Sequence, residues 1–121
     1  MILVDTSVWI DHFRAGDAAL SAALHGGLVL THPFVVGEIA CGNISNRQDV
    51  VTLLQNLSLA PVATHAEALA FIEMRSLMGR GIGYVDVHLL ASVTLSDGAR
   101  LWTRDRRLGR LARELRLAHD R

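Results

Sequence analysis

Short apolar runs alternate with segments of helical spacing along the 121 residues of this chain. Parallel strands need crossover connections, usually helices, so this alternation predicts an α/β fold with a central parallel β-sheet flanked by helices on both faces. Pro61 lies within the third run and suits an edge strand, because proline cannot donate to a ladder. The predicted strands are Met1–Val4, Leu28–Thr31, Leu59–Val62 and Arg100–Thr103.

The segments between these runs have apolar residues at helical intervals. Asp17 is a candidate N-cap, Pro33 opens a helix at its favoured first turn, and three glycines make residues 79–83 a loop. Half of the chain is hydrophobic, which is enough for one packed domain over residues 1–121. The predicted helices are Ser7–Arg14, Asp17–Leu24, Pro33–Cys41, Gln48–Leu57, His65–Met78, Tyr84–Leu95 and Leu108–Leu117.

The N-terminus and the cysteine content both predict a cytoplasmic location. Cys41 is the single cysteine, so no disulfide framework can form within the chain. The N-terminus lacks the basic region of a signal peptide, and no apolar run reaches the ~20 residues of a membrane span. We therefore expect a soluble cytoplasmic protein without membrane association.

Basic residues are concentrated at the C-terminal end. All twelve are arginine, and eight of them fall within residues 100–121, while residues 1–99 hold nine of the twelve acids. Arginine binds phosphate through a planar fork of donors. An arginine-rich end beside an acidic body suits a phosphate-bearing polymer near a cation site, although a solvated helix face would have the same composition.

Four acidic residues occupy positions that could bring them together. Asp5 directly follows the first predicted strand and Asp105 lies two residues past the last, so both emerge at one edge if these strands are parallel neighbours. Glu38 and Asp86 are acids in otherwise apolar helices. Clustered carboxylates repel one another unless a cation neutralises them, and Mg²⁺ or Mn²⁺ prefers such oxygen ligands.

Each of these acids also has a simpler interpretation. Asp5, Asp86 and Asp105 are placed to cap helices, and the Glu38 side chain could point to solvent. Thr103 and Ser7 could hold a metal-bound water or orient Asp5, although hydroxyls more often bind nearby backbone. The six histidines show no HxH or HxxxH spacing, which argues against zinc.

Four motifs together resemble one known family. They are Ile2-Leu3-Val4-Asp5-Thr6-Ser7-Val8-Trp9-Ile10, Val36-Gly37-Glu38-Ile39, Gly83-Tyr84-Val85-Asp86-Val87-His88-Leu89-Leu90-Ala91 and Thr103-Arg104-Asp105. In this order and spacing they resemble PIN domains over essentially the whole chain. The short length is similar to that of bacterial VapC toxins.

The resemblance implies a PIN-like domain in which Asp5, Glu38, Asp86 and Asp105 ligate one or two Mg²⁺ or Mn²⁺ ions. It implies an endoribonuclease that cuts structured RNA, such as transfer or ribosomal RNA, by metal-activated water. It further implies a homodimer that a cognate VapB-type antitoxin holds inactive. The arginines Arg104, Arg106 and Arg107 would then contact either the RNA or an acidic antitoxin segment.

Other functional classes fit the chain less well. A receiver-like signalling domain also has acids at strand ends, but its chemistry usually needs a lysine, and this chain has none. A non-catalytic binding module of the same fold predicts the loss of an acid, and all four are present. A PIN nuclease of RNA processing or DNA metabolism, acting without an antitoxin, is the closest alternative.

Overall fold

The computed structural model describes residues 1–119. Within these residues the chain alternates strands and helices, as the pattern of short apolar runs predicts. Their order is β1 (Ile2–Val4), α1 (Thr6–Ala15), α2 (Ala18–His25), β2 (Val29–Thr31), α3 (Pro33–Ala40), α4 (Arg47–Gln55), β3 (Ser58–Leu59), α5 (His65–Arg75), α6 (Tyr84–Leu95), β4 (Arg100–Trp102) and α7 (Arg106–Glu114).

The four strands form one parallel sheet in the order β3-β2-β1-β4. Leu3 and Val4 in β1 point to opposite faces of the sheet, and both side chains are fully buried. In β4, Leu101 and Trp102 are likewise both buried. Both faces of the sheet are therefore covered, which confirms the α/β fold with a central parallel sheet.

Two predicted elements are longer or displaced relative to the structure. The helix predicted over His65–Met78 ends at Arg75, because Ser76 adopts a left-handed conformation with φ 55°. The predicted edge strand Leu59–Val62 is instead Ser58–Leu59. It does lie at the edge, and its last ladder bond comes from the Ala60 N–H, directly before the proline that has no N–H to continue it.

The C-terminal helix was also predicted with the wrong bounds. It begins at Arg106 rather than Leu108, because the Asp105 side chain accepts a hydrogen bond from the Leu108 N–H at 2.9 Å and caps the first turn. It ends before Arg116, which has φ 60°. The chain then returns beside β4, where Ala118 forms a parallel bridge with Leu101.

Helix α6 passes through the centre of the domain. All seven residues from Val87 to Val93 are buried, which is typical of a helix packed on every side. Helix α1 buries Val8 and Trp9 in the same core. Within residues 1–119, no helix is both long enough and apolar enough to cross a membrane.

Candidate active site

Asp5 lies at the carboxyl edge of the sheet, where β1 and β4 end together. Val4 is in register with Trp102, and the Asp5 N–H donates to the Trp102 carbonyl at 2.9 Å. The Asp5 residue is 7% exposed. Although it occupies the N-cap position of α1, its side chain makes no capping hydrogen bond. The carboxylate is instead held by side chains.

Two hydroxyl groups bind the same oxygen of Asp5. Ser7 Oγ and Thr103 Oγ1 each donate to Asp5 Oδ2 at 2.7 Å. Ser7 Oγ accepts from the Arg104 N–H at 3.0 Å, and Thr103 Oγ1 accepts from the Asp105 N–H at 3.1 Å. The two side chains predicted to support the site therefore connect the backbone after β4 to the Asp5 carboxylate.

Glu38 extends from helix α3 toward the start of α1. Its Oε1 accepts a hydrogen bond of 2.6 Å from Thr6 Oγ1. Sequence reasoning missed Thr6, although its position directly after Asp5 was a usable signal. The contact means that Glu38, an exposed residue, is tied to the element that follows Asp5 rather than free in solvent.

Asp86 lies in the first turn of α6 and connects the acids electrostatically. Its Oδ2 accepts from the Gly83 N–H at 3.2 Å. Burial raises the pKa of Asp86, the Gly83 hydrogen bond opposes this, and the charges of Asp5, Asp105 and Glu38 raise the pKa further. The charges of the other three predicted acids therefore act on Asp86.

Asp105 has two roles in this arrangement. Its Oδ1 caps α7 through the Leu108 N–H, as the simpler interpretation predicted. It also contributes to the electrostatic field at Asp86. Asp105 therefore caps α7 while its charge acts on Asp86.

The sequence profile of the PIN domain family matches residues 2–114. The chain belongs to the PIN domain family. Ribonuclease VapC32 of Mycobacterium tuberculosis is 55% identical over 108 residues, which make up 89% of this chain and 87% of that protein. The same values hold for strain CDC 1551 / Oshkosh and for strain ATCC 25618 / H37Rv. These matches confirm the resemblance to VapC-type PIN ribonucleases.

The donor set of this PIN domain fits a hard divalent cation. The four predicted ligands are carboxylates, and oxygen donors are what Mg²⁺ and Mn²⁺ prefer. Within residues 1–119, no group of three or more Asp, Glu, His or Cys side chains is arranged closely enough to hold a metal ion as it stands. One oxygen of each carboxylate accepts a hydrogen bond, namely Glu38 Oε1, Asp86 Oδ2 and Asp105 Oδ1, so a cation would bind through the second oxygen or displace the donor.

Arg104, predicted to contact RNA or antitoxin, is engaged within the PIN domain. Its guanidinium forms ion pairs with Asp11 at 2.8 Å and with Asp17, and it lies 5.7 Å from the centre of the Trp102 ring. This pairing lowers the pKa of Asp17. Sequence reasoning missed both acidic partners of Arg104, because they lie on and after α1, far away in the chain.

Arg106 and Arg107, the other two predicted contacts, are exposed at the start of α7. Arg107 lies across the glycine loop: a Cβ at Gly81, where φ is +80°, would come within 2.9 Å of Arg107 Cδ. The two neighbouring arginines therefore leave the helix in different directions. Their roles in RNA or antitoxin binding remain predictions.

Proposed function

We propose that this PIN-domain protein is a Mg²⁺- or Mn²⁺-dependent endoribonuclease and the toxin of a bacterial toxin–antitoxin pair. The observation that carries the proposal is geometric: Asp5 and Asp105 follow the neighbouring parallel strands β1 and β4, and Glu38 binds Thr6, the residue after Asp5. The charges of these three acids also act on Asp86, whose pKa is raised mainly by burial. Such a concentration of carboxylates is costly without a cation and useful with one. The relative named ribonuclease VapC32 supports the same activity.

Asp5, Asp86, Glu38 and Asp105 would hold the metal. When bound, the cation would polarise the phosphodiester and provide a nucleophilic water at neutral pH. Both hydroxyl donors bind Asp5 Oδ2, which leaves Oδ1 for a cation. Ser7 and Thr103 would fix the orientation of Asp5, and the acids would hold the scissile phosphate at the sheet edge only through the ion.

Several further properties belong to the same proposal. The substrates would be structured RNAs such as transfer or ribosomal RNA, which are found in the cytoplasm. The partners would be a VapB-type antitoxin and a second copy of the chain, in keeping with the VapC name of the relative. We also take residues 1–121 to be a single domain.

The test is cleavage of a mixture of structured RNAs by antitoxin-free protein with Mg²⁺, with Mn²⁺ and with EDTA. Parent protein should cut only with metal, and Asp5→Asn should not cut. Asp97→Asn is the matched control, since this exposed acid lies in the turn before β4, at the opposite edge of the sheet. Cleavage by Asp5→Asn at the parental rate would show that the metal-site assignment is wrong.

The toxin role needs its own readout. Expression of the parent protein in a bacterium should arrest growth, and expression of Asp5→Asn should not. Metal-dependent cleavage in vitro without growth arrest would favour a PIN nuclease of RNA processing over a toxin.

A further inference from the structure

Helix α7 presents three arginines on one face. Arg106, Arg110 and Arg113 are spaced four and three residues apart, so they lie in one row along the helix. Leu108 and Leu111 are buried on the other side of the helix. We call Arg106, Arg110 and Arg113 the arginine face. At 1.5 Å per residue the row is about 10 Å long.

The positive charge of this face is not neutralised within the described residues. In the range 1–119 the arginine–carboxylate ion pairs involve Arg80 with Glu114 and Arg104 with Asp11 and Asp17. None includes a member of the arginine face. A row of exposed guanidinium groups without internal partners is available to an anionic ligand.

The arginine face adjoins Thr103 and Asp105, the residues that follow β4 at the carboxyl edge of the sheet. A cleft of about 290 Å³ is lined by Thr103, Asp105, Gly109 and the three arginines, together with Arg104. Arg113 also lines two neighbouring clefts, of about 390 Å³ and 380 Å³. A Cβ on Gly109 would lie 3.5 Å from Arg113 Nη1 and 3.7 Å from Thr103 Cγ2, which places Gly109 between the arginine face and Thr103.

We propose that the arginine face binds the phosphate backbone of the RNA strand on one side of the scissile bond. The inference rests on the proposed function, because it assumes that an RNA phosphate lies at the acidic edge. The neighbouring phosphates of the same RNA strand would then lie in the adjoining cleft, beginning at Arg106. Arginine pairs with phosphate through two parallel hydrogen bonds.

An acidic protein segment is the competing occupant. It would also be attracted to the arginines, but it has no phosphate to place at Asp105, which lines the same cleft and belongs to the proposed metal site. The juxtaposition of a cation site and a row of arginines therefore favours a chain of phosphodiesters over a chain of carboxylates.

The test measures the salt dependence of RNA binding in the uncleaving Asp5→Asn background. The probe is a fluorescein-labelled, mixed-sequence single-stranded RNA, and the variant is Arg106→Gln/Arg110→Gln/Arg113→Gln, since glutamine keeps helix propensity. The logarithm of the RNA association constant falls linearly with the logarithm of the salt concentration, and three phosphate contacts on a single strand make this slope steeper by about 2. From 50 to 200 mM salt the background protein should lose affinity by about 20-fold more than the variant.

The matched control removes the same charge elsewhere, through Arg14→Gln/Arg47→Gln/Arg75→Gln. It should keep the slope of the background protein. An unchanged slope in the arginine-face variant, or an equal loss in the control, would overturn the inference. So would a poly-glutamate peptide whose binding depends on the arginine face while RNA binding does not, because that result assigns the face to an acidic protein segment.

The inference and the proposed function can fail separately. If parent protein cuts RNA but the slope does not depend on the arginine face, only the inference is wrong. If parent protein never cuts RNA and the slope still falls by about 2 in the variant, the face binds RNA and the nuclease proposal is wrong.

Discussion

Thr103→Val tests whether the hydroxyl groups around Asp5 matter for metal binding. Valine keeps the shape and the β-branch of threonine and removes only the hydroxyl. The change deprives Asp5 Oδ2 of a 2.7 Å hydrogen bond and leaves the Asp105 N–H without its 3.1 Å acceptor. Ser7 remains as the second donor to the same oxygen. We therefore expect a partial loss of orientation at Asp5.

The size of the effect follows from these contacts. A hydrogen bond to a charged group contributes about 1.5–3 kcal/mol, and loss of a partner that orients a metal ligand lowers metal affinity about 10–100-fold. Thr103 is only half-buried and Ser7 is retained, so we expect the lower half of that range, about 10–30-fold. At near-saturating metal, a tenfold weaker affinity reduces stabilisation by about 1.4 kcal/mol.

The assay is thermal unfolding across a Mn²⁺ titration. For a domain of this size, a loss of about 1.4 kcal/mol lowers the Tm reached at a given Mn²⁺ concentration by about 4–8 °C. Thr94→Val is the control, since Thr94 Oγ1 donates to the Leu90 carbonyl eight residues beyond Asp86 on α6. Equal Mn²⁺ responses in parent protein and Thr103→Val, with equal cleavage rates, would refute the reasoning.

Three further predictions concern charged or titratable groups. Burial lowers the pKa of His32 to about 4, so stability should fall by about 3 kcal/mol from pH 6.5 to 4. Urea denaturation of His32→Asn should lack this fall. The raised pKa of Asp86 means that metal-free stability declines as pH rises through it, so Asp86→Asn should raise the metal-free Tm at pH 7 and abolish the Mn²⁺ shift. Arg104→Ala leaves Asp11 and Asp17 unpaired at the surface and should cost about 1 kcal/mol in urea denaturation; an unchanged midpoint would contradict this.

The parallel sheet was predictable because its signals are local. Each strand is a short apolar run between helical segments, and Tyr84–Leu95 was predicted with the bounds that the structure has. The end of α5 was not predictable in the same way. Ser76 takes a left-handed conformation that glycine usually provides, and the next residue, Leu77, is 3% exposed. Burial of Leu77, a tertiary effect, accompanies the end of this helix.

In the candidate site, too, features set by local sequence were predictable and features set by tertiary packing were not. The placement of Asp5 and Asp105 at one edge followed from the positions of their strands in the chain. The ion pairs of Arg104 with Asp11 and Asp17 were not predictable in this way, because they depend on tertiary packing: Asp11 lies on α1, Asp17 caps α2, and Arg104 follows β4. Likewise, a run of arginines in sequence does not show which of them share a helix face.

Helix N-termini explain how the acids can converge before a metal binds. Asp5 occupies the N-cap position of α1, Asp86 lies in the first turn of α6, and Asp105 caps α7. The partial positive charge at a helix N-terminus stabilises a nearby carboxylate and so offsets part of the mutual repulsion. At Asp86, burial still raises the pKa, and the charges of the other three acids add to that shift. The capping and metal-binding interpretations are therefore compatible: backbone N–H groups at helix N-termini hold the Asp86 and Asp105 carboxylates, two hydroxyl groups hold Asp5, and the remaining repulsion among the acids favours a cation.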